Sequence, residues 1–346
     1  MTIPRSAPTL NDVAQAAGVS TATVSRCLNT PERVIDSTRE RVMKAVQELG
    51  YTPNFGARVM AARRTNTIGA IIPTMENAVF ARGLQAFQEG LRESGFTLLV
   101  ASSSYRSDIE EEQIRALVAR GADGLLLIGH DRDPAILAYL QAQNIPVLVA
   151  WSFDPGALLP SVGFDNRRSM QALADTVIGM GHRRIGVISA ITRGNDRARL
   201  RLAGIRDAVA LAGLGEDAVT VIETTYAIET GAEAFEALMT SQQPPTVVMC
   251  GNDVLAVGAM KKARELGLDV PRDVSITGFD DIELASLVDP ALTTVHVPHR
   301  EMGRRAARAL IEMVDHGRSV PSEELAANVC MRGSVALPGR DTGATA

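Results

Sequence analysis

From residue 66 onward the chain alternates short, nearly uninterrupted apolar runs with amphipathic stretches, and this rhythm restricts the fold more than any other feature of the sequence. The runs are 68–72 (IGAII), 97–101 (TLLVA), 123–128 (DGLLLI), 145–150 (IPVLVA), 184–189 (RIGVIS), 219–222 (TVIE), 246–249 (TVVM) and 273–278 (DVSITG). A strand that is apolar at consecutive positions is buried on both faces, and helical stretches between such strands are the crossovers of a parallel sheet. The expectation is therefore an α/β fold of parallel sheets covered by helices. About 230 residues of such units exceed one compact open sheet, and 151–166 (WSFDPGALLPSVGFDN) breaks the rhythm with Pro and Gly. Two similar lobes are expected. Ligands of open parallel sheets sit beyond the carboxyl ends of the strands, which directs attention to the residues just after each run.

Residues 9–50 have a different texture. Leu10, Val13, Ala14 and Ala17 follow helical spacing behind Thr9, a capping residue type, and Gly18 stops the pattern. Ser20 caps a second helix over 21–29. Asp36 or Ser37 caps a third, where Ser37-x-x-Glu40 has the form of a capping box ahead of Val42, Met43, Val46 and Leu49. Gly50 ends it, Pro53 and Gly56 interrupt, and 57–62 reads as one further short helix before Arg63 and Arg64. Two helices joined by a Gly-containing turn form either an ordinary small bundle or the unit that lays its second helix in a DNA major groove. On that second helix Val24, Cys27 and Leu28 share one side, while Ala22, Ser25 and Arg26 point away with Thr21 and Thr23 flanking. Arg reaches guanine O6 and N7 bidentately, and hydroxyls reach phosphates or base edges.

The net charge of −5, taken whole, argues against a nucleic-acid partner. Divided at residue 65 it separates into nine basic and five acidic residues, a net +4, and a remainder of −9. Other features work by exclusion. Cys27, Cys250 and Cys330 are far apart with no CxxC spacing, so neither a disulfide framework nor a zinc module is expected. The first residues lack the apolar stretch of a signal peptide and no apolar run approaches ~18 residues, so a cytoplasmic protein without membrane contact is expected. Gly124 to Gly129 has P-loop glycine spacing without its Lys and Ser/Thr, Gly213-Leu-Gly215 lacks a dinucleotide fingerprint, and neither HExxH nor GxSxG occurs. No cofactor, metal or catalytic residue is expected, and an enzyme is disfavoured.

The runs TLNDVAQAAGVSTATVSRCLN (9–29) and TRERVMKAVQELGYTPN (38–54) resemble the headpiece of the lactose-repressor (LacI/GalR) family. The resemblance continues through GHRRIGVI (181–188), RLRLAGI (199–205), CGNDVLAVGAM (250–260), LGLDVPRDVSITGFDD (266–281) and PALTTVHVP (290–298). It implies an N-terminal all-α helix-turn-helix headpiece (1–54), a hinge (55–65) and a two-lobed, periplasmic-binding-protein-like effector and dimerisation domain (66–346), with one lobe of about 66–165 plus 297–318 and the other of about 166–296 plus 319–340. By the same resemblance, Thr21 and Ala22 begin the recognition helix, Arg26 matches the arginine of TVSR, and Thr23, Ser25 and Asn29 complete the DNA-facing set. Tyr51 and Asn54 match the start of a hinge that in this family becomes helical on DNA. Met60, preceded by Ala57, aligns with a leucine often inserted in the minor groove; it is either such a wedge or a plain packing residue.

The matching effector contacts are Phe80, Trp151, Arg201, Asn252, Asp253 and Asp280, with Arg197 beside Arg193 and Arg199 as a partner for a ligand carboxylate. Trp151 is alternatively core, and Asp253 or Asp280 alternatively caps a helix. Ala150 and Val297 depart from polar residues found in some members, and His130 either faces the cleft or is a loop histidine. A guanidinium, an amide and a carboxylate beside an aromatic face suit a polyhydroxylated effector, a sugar or sugar acid; SVGFDNRRS (161–169) resembles gluconate-type regulators. The resulting expectation is a repressor that binds a pseudo-palindromic double-stranded operator as a homodimer. The tail 339–346 has no heptads, so no coiled-coil tetramer is expected. A sugar-binding receptor without regulatory output, or a small-molecule enzyme, are the alternatives.

Overall fold

The computed structural model describes residues 7–52, 64–76 and 78–339. The chain forms two compact units, Met1–Thr65 and Asn66–Ala346.

The first unit holds helices α1 (Leu10–Ala17), α2 (Thr21–Asn29) and α3 (Asp36–Leu49). The Thr9 hydroxyl accepts from the Asp12 N–H while the Asp12 carboxylate accepts from the Thr9 N–H at 2.8 Å, a reciprocal capping box that fixes the start of α1. Gly18 ends α1 in the left-handed region at φ 63°, and the Ser20 side chain caps α2 by accepting from the Thr23 N–H. The third cap differs from expectation. Helix α3 begins at Asp36, with Ile35 in the capping position and no side-chain cap bond, so Ser37 is already inside the helix and its box with Glu40 does not form. Asp36 instead places an acid in the first turn, where the helix dipole favours it. Val13, Val24 and Val42 are fully buried at the centre, with Cys27, Ala45 and Tyr51 around them. The expected short helix at 57–62 lies outside the described residues.

The second unit contains, in chain order, β1 (Thr67–Ile72), α4 (Ala78–Glu93), β2 (Thr97–Ser102), α5 (Ser107–Ala119), β3 (Gly124–Ile128), α6 (Pro134–Ala142), β4 (Val147–Ala150), β5 (Ser161–Gly163) and α7 (Asn166–Gly179). There follow β6 (Ile185–Ala190), α8 (Asp196–Leu211), β7 (Val219–Thr224), α9 (Ile228–Met239), β8 (Val247–Cys250), α10 (Asp253–Glu265), β9 (Ser275–Thr277) and α11 (Glu283–Leu287). Last come β10 (Thr294–His296), α12 (His299–His316), β11 (Glu323–Glu324) and β12 (Asn328–Cys330). Two parallel sheets result, ordered β11-β5-β4-β3-β1-β2 and β7-β6-β8-β9, and β10 pairs antiparallel with β12.

Burial on both faces accounts for the apolar runs of the central strands, whereas the edge strands β2 and β7 are largely unburied. Leu126 and Ile128 of β3 pack with Phe87 and Leu310, whereas Leu125 and Leu127 pack with Ile114 and Leu140 on the opposite face. The second sheet repeats this, with Val187 and Met249 toward Leu173 and Leu202 and with Val248 and Cys250 toward Phe235 and Leu255. Each expected run coincides with a strand to within two residues.

Two segments depart from expectation. The interruption at 151–166 contains β5, and Glu323 and Glu324 pair with Val162 and Gly163 at the edge of the first sheet. Residues 323–324 thus belong to the first lobe, not to the second as the boundary at 319 implied. A two-residue acidic edge strand carries no apolar run to reveal it. The chain passes between lobes at 163–166, 296–299 and 324–328, so the carboxyl ends of both sheets face a shared cleft. Among the described residues, no helix is long and apolar enough to cross a membrane.

Candidate functional site

Helix α2 leaves Thr21, Ala22, Arg26 and Asn29 exposed and Thr23 and Ser25 half-buried, while Val24 and Cys27 are in the core. The polar groups on this face are lightly committed. Thr23 Oγ1 lies 2.9 Å from Ser20 Oγ, the Asn29 amide donates to Ser25 Oγ at 3.3 Å, and the Arg26 guanidinium has no partner among the described residues. Tyr51 behaves differently, because it packs in the three-helix core and anchors the chain as it leaves α3. Asn54, Ala57 and Met60 lie outside the described residues.

The cleft of the second unit holds the other candidate site. Its innermost cavity is lined by Phe80, Trp151, Arg197, Arg201, Asn252 and Asp280, together with Val79, Tyr105 and Tyr226. Its volume is about 20 Å³, and it adjoins outer spaces of about 400 and 500 Å³ that share Tyr105 with it. Six of the seven residues expected to contact an effector are therefore gathered in one place. Asp253 is the exception. Its carboxylate accepts from the Ile282 N–H at 2.8 Å and from the Thr294 hydroxyl at 2.6 Å, so it ties the loop after β9 to β10 from behind the cavity. Burial, reinforced by Asp280, raises its pKa to about 8.

Arg201 organises the cavity floor. Its Nε donates to Asn166 Oδ1 at 2.9 Å, Nη1 to the Gly251 carbonyl at 2.7 Å and Nη2 to Asp280 Oδ1 at 3.4 Å, and its guanidinium carbon sits 3.7 Å above the centre of the Phe279 ring. Burial pushes the Asp280 pKa up to about 6, against the pull of Arg201. The second Asp280 oxygen has no protein donor among the described residues. Asn252 caps α10 through Oδ1, accepting from the Leu255 N–H at 3.0 Å, which leaves its amide nitrogen for the cavity. Phe80 and Trp151 meet edge to face at 5.3 Å, and Tyr105 and Tyr226 meet across the cleft mouth at 5.5 Å.

Polar ties close the rim. The His130 N–H donates to Asp196 Oδ2 at 2.7 Å, Arg197 donates to the Ile128 carbonyl at 3.1 Å, and Arg199 pairs with Asp131 at 2.6 Å. Gly129, at φ +73°, permits this approach, since a Cβ there would stand 2.0 Å from an Arg197 nitrogen. His130 is half-buried, its pKa is lowered by burial, and its Nε2 has no partner among the described residues. Of the three neighbouring arginines, Arg197 is buried whereas Arg193 and Arg199 are exposed. Ala150 and Val297 are buried apolar residues.

Sequence reasoning missed Tyr105 and Tyr226, which follow the carboxyl ends of β2 and β7 by three and two residues. The position rule for parallel sheets would have found both. It also missed Asn166 and His299, for which no local signal exists. Among the described residues no cluster of His, Cys, Asp and Glu is placed to hold a metal ion.

Comparison with known proteins bears on both units. Residues 9–54 match the family model described as bacterial regulatory proteins, lacI family, and residues 174–335 match that of a periplasmic binding protein-like domain. The HTH-type transcriptional repressor CytR of Escherichia coli strain K12 is 34% identical over 336 residues, 96% of this chain and 98% of that protein. The structure of the lac repressor dimer bound to operator and the anti-inducer ONPF is similar with a TM-score of 0.85 at 25% identity, covering 96% of this chain and all of that one. The CelR–cellobiose complex is similar with a TM-score of 0.70 at 29% identity, covering 94% and 99%.

Proposed function

This chain belongs to the lacI family of bacterial regulatory proteins, and from that premise we propose that it is a dimeric transcriptional repressor controlled by a sugar or sugar acid bound between its lobes. The first unit reads a pseudo-palindromic operator. Thr21, Ala22, Thr23, Ser25, Arg26 and Asn29 face the major groove, Tyr51 and Asn54 lead into the hinge, and Ala57 and Met60 sit at the operator centre. The +4 charge of residues 1–65 supplies phosphate attraction, and the −9 remainder keeps the body off the duplex. The similar lac repressor structure, a dimer bound to operator, supports this reading of partner and assembly.

The observation that carries the effector reading is the convergence of Arg197, Arg201, Asn252 and Asp280 with Phe80 and Trp151 on one cavity. Two guanidinium groups, an amide nitrogen and a free carboxylate oxygen match alternating hydroxyl donors and acceptors, and the aromatic rings match the apolar face of a sugar ring. The cellobiose held by CelR is consistent with that class. Binding between lobes changes their angle, and operator affinity changes with it.

Site selection from random duplexes with the purified full chain tests the DNA half of this reading. The expected product is a two-fold symmetric consensus, and scrambling one half-site removes most of the specific affinity. Undiminished binding to the scrambled duplex would overturn it.

A further inference from the structure

Five buried residues close a ring of hydrogen bonds beneath the cavity. Trp151 Nε1–H donates to His299 Nδ1 at 3.2 Å, and His299 Nε2–H donates to the Asp280 carbonyl at 3.0 Å. Arg201 donates to the Asp280 carboxylate at 3.4 Å and to Asn166 Oδ1 at 2.9 Å, and the Asn166 amide returns to the Trp151 carbonyl at 3.0 Å. None of the five is more than 5% exposed. Trp151 and His299 belong to the first lobe, and Asn166, Arg201 and Asp280 to the second. Trp151, Arg201 and Asp280 line the cavity, whereas Asn166 and His299 do not.

We propose that His299 and Asn166 are positioning residues of the effector site, which hold Trp151 and the Arg201–Asp280 pair in ligand-ready geometry and join the two lobes through them. This rests on the effector reading above for its function, whereas the ring of hydrogen bonds is observed independently of that reading. Two independent observations support it. First, Trp151 and Asp280 both have positive φ, 61° and 103°. Such backbone in a bulky residue persists only where the surroundings over-determine it, and the ring ties each of the two through main chain and side chain. Second, the His299 imidazole has one nitrogen accepting and the other donating, which requires the neutral ring with its proton on Nε2. Burial holds His299 in that form, lowering its pKa to about 4. A fully satisfied buried network is rigid, whereas one missing a member leaves its neighbours unpaired in a low dielectric.

Trp151 is the single tryptophan of the chain, so its emission reports on the ring directly. The two nitrogens of His299 can be tested separately. His299→Asn retains an acceptor at the Nδ1 position, and His299→Gln retains a donor at the Nε2 position. In ligand-free full chain at neutral pH, His299→Asn should keep the native emission maximum and acrylamide quenching constant. His299→Gln and Asn166→Leu should shift the maximum and raise the quenching constant at least about twofold, with far-UV circular dichroism unchanged, because the lost partner of Trp151 is a buried hydrogen bond. Native emission and quenching in folded His299→Gln and Asn166→Leu would overturn the proposal, as would equal disturbance in all three variants, which is the mark of general loosening. No effector enters the measurement, so its failure is distinct from failure of the sugar or sugar-acid reading.

Discussion

The two units place an arginine in opposite circumstances. Arg26 stands on an exposed helix face with no partner among the described residues, and its neighbours Thr21, Ala22 and Asn29 are equally open. Arg201 is buried, donates to three different groups and stacks on Phe279. The first unit prepares a surface whose polar groups are free for a large external partner. In the second, the Arg201 guanidinium is already bonded within the fold while the second Asp280 oxygen and the Asn252 amide nitrogen have no protein partner among the described residues, so the charge that lines the cavity is also structural. Truncation should therefore cost binding alone in the first unit, and folding as well as binding in the second.

The sharpest way to break that contrast is Arg201→Met. Removing one partner of a buried, hydrogen-bonded charge pair costs about 3–5 kcal/mol, and the loss should appear in the urea transition followed by Trp151 emission while the helical signal of the first unit is unmoved. An unchanged midpoint would place Arg201 with Arg26. Next in size is Arg26→Ala, which should cost about 1–3 kcal/mol of base discrimination in a repeated site selection and leave the Trp151-reported transition where it was.

A smaller effect concerns pH. The raised pKa of Asp253, about 8 in the fold, means that the folded chain binds more protons than the unfolded one. The stability this contributes is present in acid and is lost as pH rises through 8. Asp280, at about 6, is almost fully ionised in the fold by pH 7, and His130, His182 and His299, all lowered by burial, add a slope of opposite sign that fades above their unfolded value of about 6.5. The urea midpoint of the second unit should therefore fall between pH 7 and 8, by at most about 1.4 kcal/mol per pH unit, and Asp253→Asn should flatten the fall. All five histidines lie beyond residue 65, so the first unit should show no such slope.

The same contrast explains what the sequence made legible. Helix ends in the first unit are set by neighbours within four residues, as in Thr9 with Asp12 and Gly18 after Ala17, and these were readable. Ser37 misled because an earlier start at Asp36 won the competition for the helix end. In the second unit the long apolar runs announced their strands, whereas β5 and β11, three and two residues long, had no periodicity to show. The cavity was legible where a residue followed a strand or carried a family motif. Asn166 and His299 act through partners 15 to 148 positions away, at Trp151, Arg201 and Asp280, and only the closed fold discloses them.

The claim that joins the units is that effector and operator share one equilibrium. Calorimetry should measure the affinity of the full chain for the sugar or sugar acid that most raises its melting temperature, once alone and once saturated with the selected duplex. Linkage requires the effector to change operator affinity by the same factor, about 5–150-fold for ordinary coupling energies. A shift in that range, equal in both directions, is the predicted result. Identical effector affinity with and without duplex would contradict the account.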